Sequence, residues 1–191
     1  MASETDLLND ALSQIGALPI TAIDDGSVNA NHCQRLYPAL RDSLIRSHHW
    51  NWAMKRVVLA QDVTAPVFEF AFAYTLPADC LKVVEYNGGA PDTSTIYKIE
   101  GWKLITNDGE VQIVYLARIT NPDEWDAIFY QVVATWLASK LALAIPKDAS
   151  TSKALLEQAV EVLLPLALAV DGQEGTVLPL VSDALTRVRY A

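Results

Sequence analysis

The stretch that decides the fold is residues 44–60, LIRSHHWNWAMKRVVLA. Before it the apolar residues recur with a helical period, whereas after it, as far as residue 118, short runs between turn residues are typical of strands. Trp50 and Trp52 lie at this change, and rings of that size bury much apolar area. On a strand, their i, i+2 spacing puts both rings on one face. We expect the stretch to join a helical part to a β part, with both tryptophans in the core and not at a ligand site.

Composition and charge restrict the class of protein. The chain has 191 residues, of which 51% are hydrophobic and 19% are charged, so it predicts a packed domain and not a disordered segment. So few charges also predict that some surface is covered in an oligomer. The net charge of −9 argues against a conventional nucleic-acid binder, whose footprint is a basic stripe. It still allows a protein past which DNA slides without sticking.

Several features bear on where the protein is found. Residues 1–10, MASETDLLND, contain neither the basic nor the apolar region of a secretory signal. Apolar runs at residues 134–145 and 162–170 are too short to span a bilayer, so no membrane association is expected. Cys33 and Cys80 lie far apart and form no metal-type pair. Synthesis in a reducing cytosol is therefore expected.

The first predicted helix covers residues 3–16. Ser3 and Asp6 can form a capping box, because a hydroxyl and a carboxylate satisfy the free amides of a first turn. Gly16 suits the C-terminal cap.

The second predicted helix begins at Ser27 or Asn29 and ends near residue 47. Pro38 interrupts it. Because proline has no N–H to donate, we expect a kink or a short break there.

Residues 50–118 carry the pattern of an antiparallel meander. Turn signals at residues 87–89 and 107–109 are too short for the crossover helices that parallel strands need. A hairpin is expected around Gly101 and Trp102. The predicted strands are residues 50–59, 68–76, 81–86, 96–100, 103–106 and 111–118.

A third helix is predicted after the strands. Asn121, Pro122 and Glu124 are typical of a helix start, with a cap, a proline at the first position and a capping-box acid. This helix should end before Pro146.

The last part of the chain predicts a fourth helix and a tail. Ser150 or Thr151 caps the helix, and Pro165 should kink or shorten it. Residues 171–175 are expected to be a flexible link. Residues 176–191 are expected to form a short amphipathic helix, or an arm that orders only on a partner.

These elements predict the α+β class. More finely, they predict a four-helix bundle, formed by residues 1–49 and 119–170, with an inserted antiparallel β-rich subdomain at residues 50–118. Residues 171–191 are assigned to a C-terminal arm.

Three pairs of residues are of types that bind metals: Asp24–Asp25, His32–Cys33 and His48–His49. The acid pair supplies too few oxygens for a hard cation. Neighbours on a helix do not share a face, which argues against the His–Cys pair. Nothing close in sequence completes a coordination set for the two histidines. We therefore predict no metal site.

The sequence contains none of the common catalytic or nucleotide-binding motifs. There is no phosphate loop, dinucleotide fingerprint, nucleophile elbow or zinc spacing. Acids at Asp123, Glu124 and Asp126 are explained by the dipole of the helix they begin. We predict no catalytic residue, no cofactor and no enzymatic activity.

Four stretches, in this order, resemble the tail tubular protein A family of short-tailed phages, the head-to-tail adaptor or gatekeeper proteins. Residues 7–25, LLNDALSQIGALPITAIDD, are similar to the family's helix, IG-x-x-P loop and acidic turn. Residues 44–53, LIRSHHWNWA, resemble its aromatic–Asn–aromatic step, and residues 74–84, YTLPADCLKVV, its Leu-Pro turn and strand. The fourth is the aromatic-rich helix that begins with Pro122 and Asp123.

The resemblance implies a structural virion protein of the tail or neck, made in the host cytoplasm. It implies a homo-oligomeric, dodecameric ring that binds the portal protein and the tail nozzle protein and lines the DNA channel. An acidic chain suits a lumen that repels phosphates. Residues 172–191 do not match the family pattern, and we expect them to dock onto the portal.

Two alternatives remain open. One is a tail-associated cell-wall or capsule hydrolase, which needs two carboxylates flanking a cleft. The other is a nozzle or other tail-tube component. The carboxylates available in the β part are Glu69, Asp79, Glu85, Glu100 and Asp108.

Overall fold

The computed structural model describes residues 3–89 and 97–174. Over these residues the fold is mixed α+β, with four helices and two small antiparallel sheets. The helices are α1 (Glu4–Ser13), α2 (Val28–Ser47), α3 (Ala127–Ala144), and a last run of α4 (Ala149–Glu157), a π-helical turn (Gln158–Leu163) and α5 (Leu164–Glu174). The strands are β1 (Met54–Leu59), β2 (Phe72–Thr75), β3 (Cys80–Tyr86), β4 (Tyr97–Glu100), β5 (Lys103–Thr106) and β6 (Val111–Ala117).

The strands form two separate sheets of three. In the first the order is β1-β6-β3, and in the second it is β2-β5-β4. Every pair is antiparallel, as predicted, and β4 and β5 form the expected hairpin. The order is not that of a meander, because the β4–β5 hairpin, which lies between β3 and β6 in the sequence, pairs with β2 in the other sheet. As a result β3 pairs directly with β6, although two strands separate them in the sequence.

The two N-terminal helices largely follow the prediction. Ser3 and Asp6 form the capping box, and Gly16 adopts a φ of 67° just beyond α1. The Ser27 hydroxyl accepts the Ala30 N–H and caps α2. The helix continues through Pro38, so the alternative of a short break is wrong. Buried side chains on both sides of the proline hold the helix together despite the lost hydrogen bond.

The start predicted for the third helix is wrong. Residues Pro122–Glu124 form a separate 3₁₀ turn that Asn121 caps, and the chain is extended again at Trp125, where ψ is 157°. A second cap then begins α3: the Asp126 carboxylate accepts the N–H groups of Ile128 and Phe129. The Asp126 carboxylate therefore serves as a helix cap.

The last helical run differs from the prediction in three ways. Its cap is Asp148 rather than Ser150 or Thr151. The helical run continues past Pro165, because the preceding π-helical turn has i→i−5 hydrogen bonds in place of i→i−4: the Leu164 N–H donates to the carbonyl of Ala159. The flexible link predicted at residues 171–175 is wrong for residues 171–174, which complete α5, while the predicted tail, 176–191, lies outside the described residues.

Helix α3 is the centre of the fold. It packs against α1, α2, α4 and α5, and apolar residues are buried on most of its circumference. By length and composition alone Ala127–Ala144, with a mean hydropathy of 1.4, is able to cross a membrane, but 56% of it is buried inside the protein. A buried core helix passes the same test, so this is weak evidence for a membrane span.

Candidate functional site

Stretch 44–60 meets the rest of the molecule at an aromatic cluster around Phe129. The ring centroids of Trp50 and Trp52 each lie 4.8 Å from that of Phe129, and the Trp125 centroid lies 5.3 Å from it. Trp50 is fully buried, and its Nε1–H donates to the Leu44 carbonyl at 3.1 Å. These geometries are those that aromatic pairs prefer. The prediction that Trp50 belongs to the core is confirmed.

The backbone at these tryptophans is not the predicted strand. Asn51–Ala53 is a 3₁₀ turn, and β1 begins only at Met54. The two rings therefore converge because the chain turns over Phe129, and not because alternate residues of a strand share a face. We call the segment 48–53 with its contacts on α3 and α5 the aromatic joint.

The polar part of the aromatic joint is built on Asp171. Its carboxylate accepts the backbone N–H of Asn51 at 2.8 Å, and its carbonyl accepts the Asn51 side-chain amide at 2.7 Å. The second carboxylate oxygen lies 3.2 Å from His48 Nε2. Asp171 is only 4% exposed, so these hydrogen bonds compensate for burying a charge. The contacts attach the end of α5 to the start of the β part.

Sequence reasoning missed Asp171. It assigned this residue to a flexible link, because Asp followed by Gly is a common turn signal. One signal pointed to it: Asp171 directly follows residues 162–170, which carry no charge, and it continues the inward helical spacing of Ala167. Such a lone acid on a buried helix face requires a donor elsewhere in the fold.

The two histidines of the pair face different partners. His48 reaches Asp171, whereas His49 Nε2 lies 3.1 Å from Lys82 Nζ. Burial, followed by the nearby charges of Lys82 and His48, lowers the pKa of His49. A neutral imidazole suits the ammonium donor beside it.

The remaining metal candidates are also used in structure. Asp25 accepts the backbone N–H groups of Thr21 and Ser27 and shapes the loop after α1. Cys33 and Cys80 are buried free thiols, and burial raises the pKa of each to about 11, so neither is a reactive thiolate at neutral pH. Within residues 3–89 and 97–174, no three His, Cys, Asp or Glu side chains come together as a metal site.

The five carboxylates of the hydrolase alternative fall at different places. Asp79 lies between Lys55 at 3.0 Å and the Tyr115 hydroxyl at 3.1 Å. Asp108 accepts the Tyr86 hydroxyl at 2.6 Å. Asp79 thus connects strands of the first sheet, and Asp108 connects β3 to the turn that follows β5 of the second sheet.

Glu85, Glu69 and Glu100 remain from that set. Glu85, on β3, lies 3.9 Å from Arg56 on β1, across the central strand β6 of the first sheet. Glu69 and Glu100 both line an open cleft of about 340 Å³ over one face of the second sheet. Glu69 is paired there with Lys98, whose Nζ is 2.7 Å away. Of the five acids, Glu69 and Glu100 thus share this cleft.

The surface of α1 and the loop after it is strongly acidic. The first lysine or arginine of the chain is Arg35. Donors from Ser3 lower the pKa of Asp6, and donors from Ser27 and Thr21 lower that of Asp25, so both stay ionised. The five acids before Arg35 are Glu4, Asp6, Asp10, Asp24 and Asp25.

This chain matches no known family model, and no curated protein is similar enough to be counted as its relative. Function is therefore inferred from the chain's own residues and from the four stretches described above.

Proposed function

We propose that the chain is a structural virion protein, a head-to-tail adaptor that forms a ring between the portal and the tail nozzle. The observation that carries this proposal is the resemblance of four stretches, in order, to one adaptor family. Within that proposal the fold is a four-helix bundle with an inserted β-rich subdomain, and the ring is a dodecamer.

The aromatic joint gives a physical reason for one of the four stretches. In the sequence WNW, both tryptophans pack on Phe129 and the asparagine between them binds Asp171. An aromatic–Asn–aromatic step is thus suited to fixing a β part on a helical bundle. A rigid joint of this kind suits a ring subunit that must hold two neighbours in a fixed orientation.

The acidic surface supports the channel-lining part of the proposal. Five carboxylates precede the first basic residue, and Asp6 and Asp25 are held in their ionised form. A surface of one sign, repeated around a ring, repels a phosphate backbone and keeps DNA from sticking. We therefore assign the surface of α1 and the loop after it to the lumen.

The test is sedimentation velocity of the chain mixed with the portal ring encoded beside it. The adaptor proposal requires saturable co-sedimentation at the stoichiometry of a ring. Absence of binding at micromolar concentration contradicts it, and the nozzle protein is then the next partner to test.

The second candidate is a tail-associated hydrolase, and one observation favours it: Glu69 and Glu100 share the cleft at the second sheet. Hydrolysis by two carboxylates requires one of them to act as a proton donor. Clearing of host cell walls by the chain, lost in Glu100→Gln, would support this activity. Clearing that persists in the variant would exclude this cleft as its source.

A further inference from the structure

The outward face of the last helical run is apolar. Val162 is 60% exposed and Leu166 is 49% exposed, and Pro165 and Ala169 are exposed beside them. The spacing i, i+3, i+4, i+7 aligns all four along one side of the run. We call these four residues the outer stripe.

The opposite side of the same run is already occupied. Ala159, Ala167 and Asp171 are buried, facing α3 and the aromatic joint. Residues 162–170 contain no charged side chain at all. A helix that is apolar on both sides is ordinarily covered on both sides.

The charges at the ends of the outer stripe restrict what can cover it. Glu161 lies at one end and Glu174 at the other, and both are exposed. In the part of the chain that the structure describes, neither has an ion-pair partner. Two copies packed antiparallel through this stripe would bring Glu161 of one near Glu174 of the other, which is unfavourable. The charges favour an occupant that is apolar and carries basic residues.

The chain itself contains such a segment. Residues 175–191, GTVLPLVSDALTRVRYA, begin directly after α5 and are apolar except for Asp183 and two arginines, with polar uncharged residues between them. We propose that this segment turns back over the outer stripe and covers it in the free protein, with Arg187 and Arg189 at Glu161.

The length of the segment agrees with this path. From Glu174 back to Glu161 the run rises by about 20 Å, at about 1.5 Å per residue. From residue 175 to Arg187 the chain spans about 18 Å as a helix and up to about 40 Å if extended. A fully helical segment falls short of Glu161, whereas an extended or partly extended segment is long enough to reverse direction and bring the arginines to the acidic end. Docking of the same segment on a portal would then expose the outer stripe.

The test measures whether the outer stripe is accessible in the full-length chain. A Leu166→Cys variant places a thiol on the stripe, and Leu143→Cys places one on α3 at a similar exposure, 55%. The native Cys33 and Cys80 are buried and react slowly. We expect a water-soluble maleimide to label Cys at 166 at least fivefold more slowly than Cys at 143, at all protein concentrations.

Charge reversal identifies the occupant. Adding Arg187→Glu and Arg189→Glu should raise the labelling rate at position 166 to within about twofold of that at 143. The matched control, Arg35→Glu with Arg56→Glu, changes the net charge equally at exposed sites away from both thiols and should leave the protection in place.

Three results would overturn the proposal. Equal rates at the two positions would show that the stripe is open. Protection that disappears on dilution would assign the cover to a second copy. Protection of position 166 that persists after both arginines are reversed would exclude the proposed contact of these arginines with Glu161. None of these results depends on portal binding, so the adaptor proposal is tested separately.

Discussion

Replacing Trp50 by alanine tests the aromatic joint directly. The ring is fully buried, lies against Phe129 and donates one hydrogen bond to the Leu44 carbonyl. Loss of a buried tryptophan costs about 3–5 kcal/mol through lost transfer energy and the cavity left behind. The aromatic pair with Phe129 accounts for about 0.5–1.5 kcal/mol of this. We expect Trp50→Ala to lower the free energy of unfolding by about 3–5 kcal/mol.

Two further variants separate the contributions. Trp50→Phe keeps an aromatic ring but loses the Nε1–H donor; because the Leu44 carbonyl still accepts the Ser47 hydroxyl, loss of this one hydrogen bond should cost about 0.5–1.5 kcal/mol. Trp102 is 49% exposed, and Trp102→Ala should change the free energy of unfolding by less than about 0.5 kcal/mol.

Urea unfolding followed by far-UV circular dichroism gives these free energies, provided the slope against denaturant stays constant. A loss below about 1 kcal/mol for Trp50→Ala would refute the reasoning, because no fully buried tryptophan in a close-packed core is that dispensable. Equal losses of unfolding free energy in Trp50→Ala and Trp102→Ala would refute it as well.

Four other outcomes are expected. Asp171→Ala should cost about 2 kcal/mol in urea unfolding, because it leaves the partly buried Asn51 N–H without this acceptor. Tyr86→Phe should cost about 1–3 kcal/mol in the same assay, since the hydroxyl bonds Thr106 and Asp108 across the two sheets. Hydroxyl and backbone donors lower the pKa of Asp148 in the folded protein. The stability that this carboxylate contributes should therefore be fully present above its ordinary pKa of about 3.9 and decrease as the pH falls towards the lower pKa of the folded state. In thermal melts, the melting temperature of Asp148→Ala should decrease less on acidification than that of the unaltered protein. Asp24→Lys should slow genome release from virions several-fold if α1 and its loop line the channel, whereas Glu110→Lys, with the same change of charge, should not.

Local chemistry explains which elements could be predicted from the sequence. Ser3, Asp6 and Gly16 act within one or two turns of a helix, and the structure uses all three as predicted. The hairpin from β4 to β5 likewise depends on the turn between adjacent strands. The α+β class follows from these local signals together with the change of period at residues 44–60.

Errors occur where a distant contact outweighs the local pattern. Trp50 and Trp52 have a strand-like spacing, but both rings pack on Phe129, far along the chain, and the backbone between them forms a turn instead of a strand. Asn121 does begin a helical turn, yet Trp125 folds back so that its Nε1–H reaches the Ile119 carbonyl. The helix must then begin again at Asp126. No short window of sequence contains both Phe129 and the two tryptophans that pack on it.

Asp171 and Pro165 show how two such errors depend on one another. A proline within a helix and an Asp-Gly pair after it both predict an end to the helix. The π-helical turn at Gln158–Leu163 absorbs the proline, which lets α5 continue far enough to carry Asp171 to Asn51. That hydrogen bond, across 120 positions of sequence, in turn holds the end of α5 in place. The joint between the helical and β parts therefore depends on a helix that local rules would have ended, and the outer stripe lies on that same helix.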